Sequence, residues 1–163
     1  MSKLTEQIRI NAPAEKVWEV LADFGGVGKW SPVVAHSVAI TDANRGVGCE
    51  RQCEVPGFGD VKERVTEWEE GRRLSYDLEG GAGPMKSLRG EFSVSPVGDN
   101  TEVTMTVDFR VRFGHVGALM DRFIVRRQMR KRMALTLAGL KHHVETGEEV
   151  GTELPKVARD TAS

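Results

Sequence analysis

Val103-Thr104-Met105-Thr106-Val107-Asp108-Phe109-Arg110-Val111 alternates apolar and polar residues without a break, the period of a strand with one face buried and the other in water. Just beyond it the period changes. Residues 116–144 contain no proline and no turn cluster, only isolated glycines at 117 and 139, and Met129, Met133, Leu137, Leu140 and Val144 recur three to four residues apart. That spacing predicts one long helix that lays an apolar stripe on a sheet. Val116, Leu119, Met120 and Phe123 form an earlier stripe of slightly different phase, so the helix is expected to bend there or to begin as a separate turn.

Upstream of this strand, four stretches of strand character lie near 47–55, 60–69, 72–79 and 86–96, with a further one near 33–41 and the quoted strand itself near 101–112. The separators, at 42–46, 56–59, 70–71, 80–84 and 98–100, are glycine, proline, asparagine and aspartate clusters. Connections this short join neighbouring antiparallel strands into a meander. A first strand covers 4–10, and Asn11-Ala12-Pro13-Ala14-Glu15 then opens a helix, with Asn11 as its N-cap, that runs to about Ala22. Gly25-Gly26-Val27-Gly28-Lys29-Trp30-Ser31-Pro32 is too rich in glycine for a stable helix interior and reads as a short helical turn or bend.

A chain of 163 residues suits one domain. The formal charge of −1 gives no overall field to gather nucleic acid, so no nucleic-acid partner is expected. The opening residues lack the apolar stretch of a signal peptide and no apolar run is long enough to span a bilayer, which makes the cytoplasm the expected location. Cys49 and Cys53, four apart in a strand, would stand about 13 Å from each other, too far for a disulfide. From Gly147 the sequence turns polar and aperiodic, so the expected division is a domain at 1–146 and a flexible tail at 147–163.

Charged residues inside apolar strand patterns carry the chemical information. If Cys49, Cys53, Val47 and Val55 face inward, alternation forces Arg51 inward too, and Val61 and Val65 do the same to Glu63. Buried charge is costly unless paired, so Arg51 and Glu63 are expected side by side on neighbouring strands. Tyr76 shares parity with Leu74 and Leu78, and His36 with Val34, Val38 and Ile40, which points both inward. His142 and His143 fall in the last turn of the long helix, where a cation suits the helix dipole, and receive no chemical role. Arg122, Arg126, Arg127, Arg130, Lys131 and Arg132 crowd one region of that helix and read as a solvated face or as a site of transient contact with a membrane surface or an acidic partner. The chain has no H-E-x-x-H, no cysteine–histidine cluster, no G-x-S-x-G elbow and no G-x-x-x-x-G-K-[ST] loop, so neither a metal nor a cofactor is expected.

Asn11-Ala12-Pro13-Ala14-Glu15-Lys16-Val17-Trp18, Trp30-Ser31-Pro32, Val47-Gly48-Cys49-Glu50-Arg51, Val61-Lys62-Glu63-Arg64-Val65, Leu74-Ser75-Tyr76 and Leu137-Ala138-Gly139-Leu140-Lys141 together resemble the START-like superfamily, also called SRPBCC. Within it the sequence is most similar to the bacterial polyketide cyclase/dehydrase and lipid-transport group, over about residues 3–146. The resemblance implies an α+β helix-grip fold: a seven-stranded curved antiparallel sheet around a long C-terminal helix, with two short helices between strands 1 and 2 and a cavity between sheet and helix. Periods and turns alone lead to a similar architecture. On that scaffold Trp30, His36, Arg51, Glu63, Tyr76, Phe92, Met105, Phe109, Phe123 and Arg127 are the expected ligand-binding residues.

Such motifs identify a fold better than a ligand. The leading expectation is a carrier or sensor of a small hydrophobic molecule such as a lipid, isoprenoid or polyketide. Its rival is a cyclase or dehydratase in which Arg51 polarises a carbonyl while His36, Glu63 or Tyr76 moves the proton. The third is an interaction module built on the basic stretch 122–132. The sequence leaves the oligomeric state open.

Overall fold

The computed structural model describes residues 2–81, 83, 85–112, 115 and 121–153. In chain order they form β1 (Ser2–Ile10), α1 (Ala14–Ala22), a 3-10 turn (Phe24–Lys29), β2 (His36–Ala39), β3 (Glu50–Val55), β4 (Gly59–Glu69), β5 (Arg73–Gly80), β6 (Met85–Val97) and β7 (Asn100–Val111). A single π-helical turn (Asp121–Val125) then leads into α2 (Arg126–Thr146). The stripe at Val116, Leu119 and Met120 lies outside the described residues.

All seven strands belong to one sheet in the order β1-β7-β6-β5-β4-β3-β2, and every neighbouring pair is antiparallel. The alternation that predicts β7 is obeyed side chain by side chain: Thr101, Val103, Met105, Val107 and Phe109 are buried, and the residues between them are half-exposed. Irregular register between Val65 and Glu67 of β4, and between Met85 and Ser87 of β6, adds a bend to each strand, which curls the sheet.

α2 lies across the concave side, packed on β1, β7 and α1. Met133, Leu137, Leu140 and Val144 are buried and Met129 packs partly buried against the same core, so the predicted stripe is the packed one. The helix stops at Gly147, whose φ of 75° lets its N–H reach the carbonyl of His143 at 2.8 Å. α1 buries Val17, Trp18, Leu21 and Ala22. Its other anchor is Glu70, which accepts the Trp18 indole N–H at 3.0 Å and the Trp68 indole N–H at 2.6 Å and pairs with Arg45.

Three local expectations are corrected. Pro13, not Asn11, is the N-cap of α1, and its carbonyl receives the N–H groups of Lys16 and Val17; the Asn11 amide instead reaches Glu145 of α2. The strand expected near 33–41 shortens to four residues, and Val47 sits in the turn before β3, two-thirds exposed rather than inward. The chain also stays attached beyond Gly147: Val150 is buried beside Ala138 and Leu135, and its N–H bonds the Lys29 carbonyl at 2.7 Å. Residues 154–163 of the expected tail lie outside the described ones.

Candidate functional site

Between the first turns of α2 and the curved face of the sheet lies a cavity of about 240 Å³. Val125, Gln128, Met129, Arg132, Met133 and Thr136 form its roof. Its floor comes from β3 to β7 through Arg51, Val55, Glu63, Tyr76, Leu78, Met85, Leu88, Phe92, Met105 and Val107, and Val27, Trp30, Ser31, Val33 and Val34 close one side. Leu137, Leu140 and Val144, further along the same helix, are absent from the lining; there helix and sheet meet in solid packing. Two larger hollows, of about 410 and 720 Å³, are surface grooves bordered by charged residues such as Lys16, Glu19 and Lys29, or Glu69, Glu70 and Arg72.

The buried charges on the wall are the pair that strand parity demands. Arg51 and Glu63 are cross-strand partners, 4% and 8% exposed, and the Arg51 Nε–H donates to Glu63 Oε2. A second guanidinium N–H donates to the Phe24 carbonyl at 2.7 Å, and the guanidinium carbon stands 3.9 Å from the centre of the Phe24 ring and 5.2 Å from that of Tyr76. Burial works against the arginine's charge, but Glu63 and the neighbouring groups outweigh it and hold the guanidinium above its ordinary value. The same surroundings act on two weak acids. Burial, reinforced by the Glu63 charge, pushes the Cys53 thiol up to about 12 and moves the Tyr76 phenol far above its usual range. Gly90 of β6 makes room for this tyrosine, because a Cβ there would lie 2.5 Å from the phenolic oxygen.

Of the expected ligand-binding residues, Trp30, Arg51, Glu63, Tyr76, Phe92 and Met105 all line the cavity. Four do not. His36 is exposed on the outer face of β2, where it borders a shallow surface hollow with Lys29 and Glu149. The reversal has a packing cause: β2 turns Ser37 and Ala39 toward the 3-10 turn, and Ser37 Oγ accepts the Gly28 N–H and donates to the Gly25 carbonyl, both at 2.8 Å. Only small side chains fit against that glycine backbone, so the larger Val38 and Ile40 face out with His36. Phe109 is buried, but in the core opposite Leu88 rather than on the cavity wall. Phe123, in the π-helical turn, is 66% exposed. Arg127 points to solvent, whereas Arg132 reaches the cavity and donates to the Pro56 carbonyl at 3.1 Å.

Sequence reading missed Ser31, Phe58, Arg132 and Thr136 as lining residues. Arg132 and Thr136 each stand one position from a residue of the apolar stripe, and Ser31 lies inside the Trp30-Ser31-Pro32 motif, but nothing in the sequence says that these polar side chains are covered.

A family model described as polyketide cyclase / dehydrase and lipid transport matches residues 1–145. No curated protein matches the sequence. Among solved structures, a protein of Thermus thermophilus superposes with a TM-score of 0.72 at 19% identity, over 90% of this chain and 99% of that one. A START superfamily protein from Mycobacterium smegmatis gives 0.66 at 18% identity, over 88% and 97% of the two chains. The di-domain ARO/CYC BexL of the BE-7585A biosynthetic pathway gives 0.66 at 19% identity, over 89% of this chain and 47% of that longer one. Likeness at these identities establishes a shared fold.

Proposed function

The chain belongs to the polyketide cyclase / dehydrase and lipid transport family, and we propose that it holds one small, mainly hydrocarbon ligand between α2 and the sheet, as a carrier or sensor. The observation that carries this reading is the cavity itself: about 240 Å³ walled chiefly by valine, leucine, methionine and aromatic side chains, with its one buried ion pair internally satisfied. Ligand sites are usually built this way, with an apolar wall and few polar groups, at volumes of about 300–1,000 Å³. This one is smaller, so a single compact ligand suits it.

Ring-closing chemistry on a poly-β-ketone has less in its favour. It needs a group that exchanges a proton near neutral pH within reach of a bound carbonyl. Here the Tyr76 phenol and Cys53 thiol are held in their protonated forms, Glu63 is engaged by Arg51, and His36 stands outside the cavity.

Filling the cavity separates a ligand site from a packing defect. Leu88 is half-buried on the floor, and Leu88→Trp places an indole where the ligand would lie. Fluorescence titration with N-phenylnaphthylamine, a neutral apolar probe, is expected to show saturable binding to the wild-type protein and at least a ten-fold weaker affinity for the variant. Equal titration curves for the two proteins would remove the cavity as the binding site.

A further inference from the structure

We propose that Trp30 Nε1 and Ser31 Oγ form a polar end of this cavity and together receive one uncharged oxygen acceptor of the ligand, as in a ketone or ester on an otherwise hydrocarbon molecule. The inference rests on the cavity's being a ligand site and specifies what that ligand carries.

Among the described residues, these are the two buried side-chain polar atoms with no hydrogen-bond partner. They belong to consecutive residues, 3% and 1% exposed, and both residues line the cavity. The other buried serine and threonine hydroxyls and the buried charges are partnered: Thr101 with the Ala12 carbonyl, Thr136 with the Arg132 carbonyl, Ser75 with Glu91, and Arg51 with Glu63. The other two indoles of the chain both donate to Glu70. A covered donor left without a partner is unfavourable, and two on consecutive residues that both line one cavity are better explained by a partner that the ligand brings.

The type of partner follows from the groups. An indole N–H only donates and a serine hydroxyl can donate beside it, so the complement is an acceptor. A carboxylate would call for a cation, but the Arg51 guanidinium is engaged by Glu63 and the Phe24 carbonyl, and Arg132, the other cation on the wall, donates to the Pro56 carbonyl, seven residues along α2 from the Gly139 that seats Trp30. A row of ring contacts, Phe24 to Tyr76 at 5.9 Å, Tyr76 to Phe92 at 6.4 Å and Phe92 to Trp30 at 5.9 Å, separates that cation from the two donors. The acceptor at Trp30 and Ser31 is therefore neutral. The segment is also firmly placed, since Gly139 of α2 lets the Trp30 carbonyl and the Pro32 ring press directly against the helix.

Two probes of one skeleton, acetonaphthone and ethylnaphthalene, differ only in a carbonyl replaced by a methylene. Calorimetric titration of the wild-type protein is expected to favour the ketone by about ten-fold, the effect of one regained hydrogen bond. Trp30→Phe and Ser31→Ala should each bring that ratio close to one, the ratio being taken within each variant so that a change in the apolar wall affects both probes alike. Without ligand, Ser31→Ala should melt at the wild-type temperature or higher, because it deletes an unpaired hydroxyl. Equal binding of the two probes by the wild-type protein overturns the inference and leaves the cavity as a ligand site. A ketone preference that survives both substitutions, or a lowered melting temperature in Ser31→Ala with the preference intact, overturns it as well. Failure of both probes to bind the wild-type protein would remove the ligand site and this inference together.

Discussion

Glu63→Gln is expected to lower the unfolding free energy by about 3–5 kcal/mol, the usual consequence of removing one member of a buried ion pair. Glutamine keeps the size of the side chain and loses the charge, so the guanidinium of Arg51, 4% exposed and unable to shed its proton, is left without its counter-charge. The Phe24 carbonyl and the two aromatic faces remain, but they supply dipoles and quadrupoles rather than a charge. Replacing both partners by apolar residues, Arg51→Met with Glu63→Leu, should recover most of the loss, because the cost lies in the orphaned charge. Denaturant unfolding of the wild-type protein, Glu63→Gln and the double variant makes the comparison. A loss below about 1 kcal/mol for Glu63→Gln would mean that Arg51 escapes to water, contrary to the buried pair described above.

Gly139→Ala should destabilise the protein by about 3 kcal/mol, at the upper end of what overpacking a core usually costs. The direction is the informative part. Within an exposed helix the same change would stabilise by about 1 kcal/mol, since glycine is a poor helix former. Here the new Cβ would stand 2.2 Å from the Trp30 carbonyl oxygen and 2.7 Å from Cδ of Pro32. Backbone and a proline ring cannot swing aside as a flexible side chain would, so either α2 or the 30–32 segment must move. A thermal melt with unchanged or raised stability would show that the segment is not seated on the helix, and the position of Trp30 and Ser31 in the cavity wall would fall with it.

Much of this architecture was legible because its period is written in large side chains. The alternation of Val103, Met105, Val107 and Phe109 and the stripe from Met129 to Val144 each name one face, and both faces are buried or partly buried. The Arg51–Glu63 pair was legible for a different reason: a charge at an inward position needs a partner, and the neighbouring strand offers one at the matching parity. What escaped depends on small residues and on backbone. β2 turns Ser37 and Ala39 toward the 3-10 turn because its glycine backbone leaves no room for more, so the apolar Val38 and Ile40 give a false signal for the direction of His36. The register shift after Val65 is likewise silent, since an inserted residue changes which side chains pair without changing their types. Gly139 reads in the sequence as a mere weakness in a helix; only the packed structure shows the carbonyl that requires it.

Native mass spectrometry of the protein purified from its own host addresses the cavity most directly, because a ligand held between α2 and the sheet would travel with the folded chain. The expected spectrum carries one small neutral adduct per protein, released on collisional activation and missing from the Leu88→Trp variant prepared in the same way. Spectra in which the wild-type protein carries no adduct, or in which the variant retains the same one, would contradict a ligand site in that cavity.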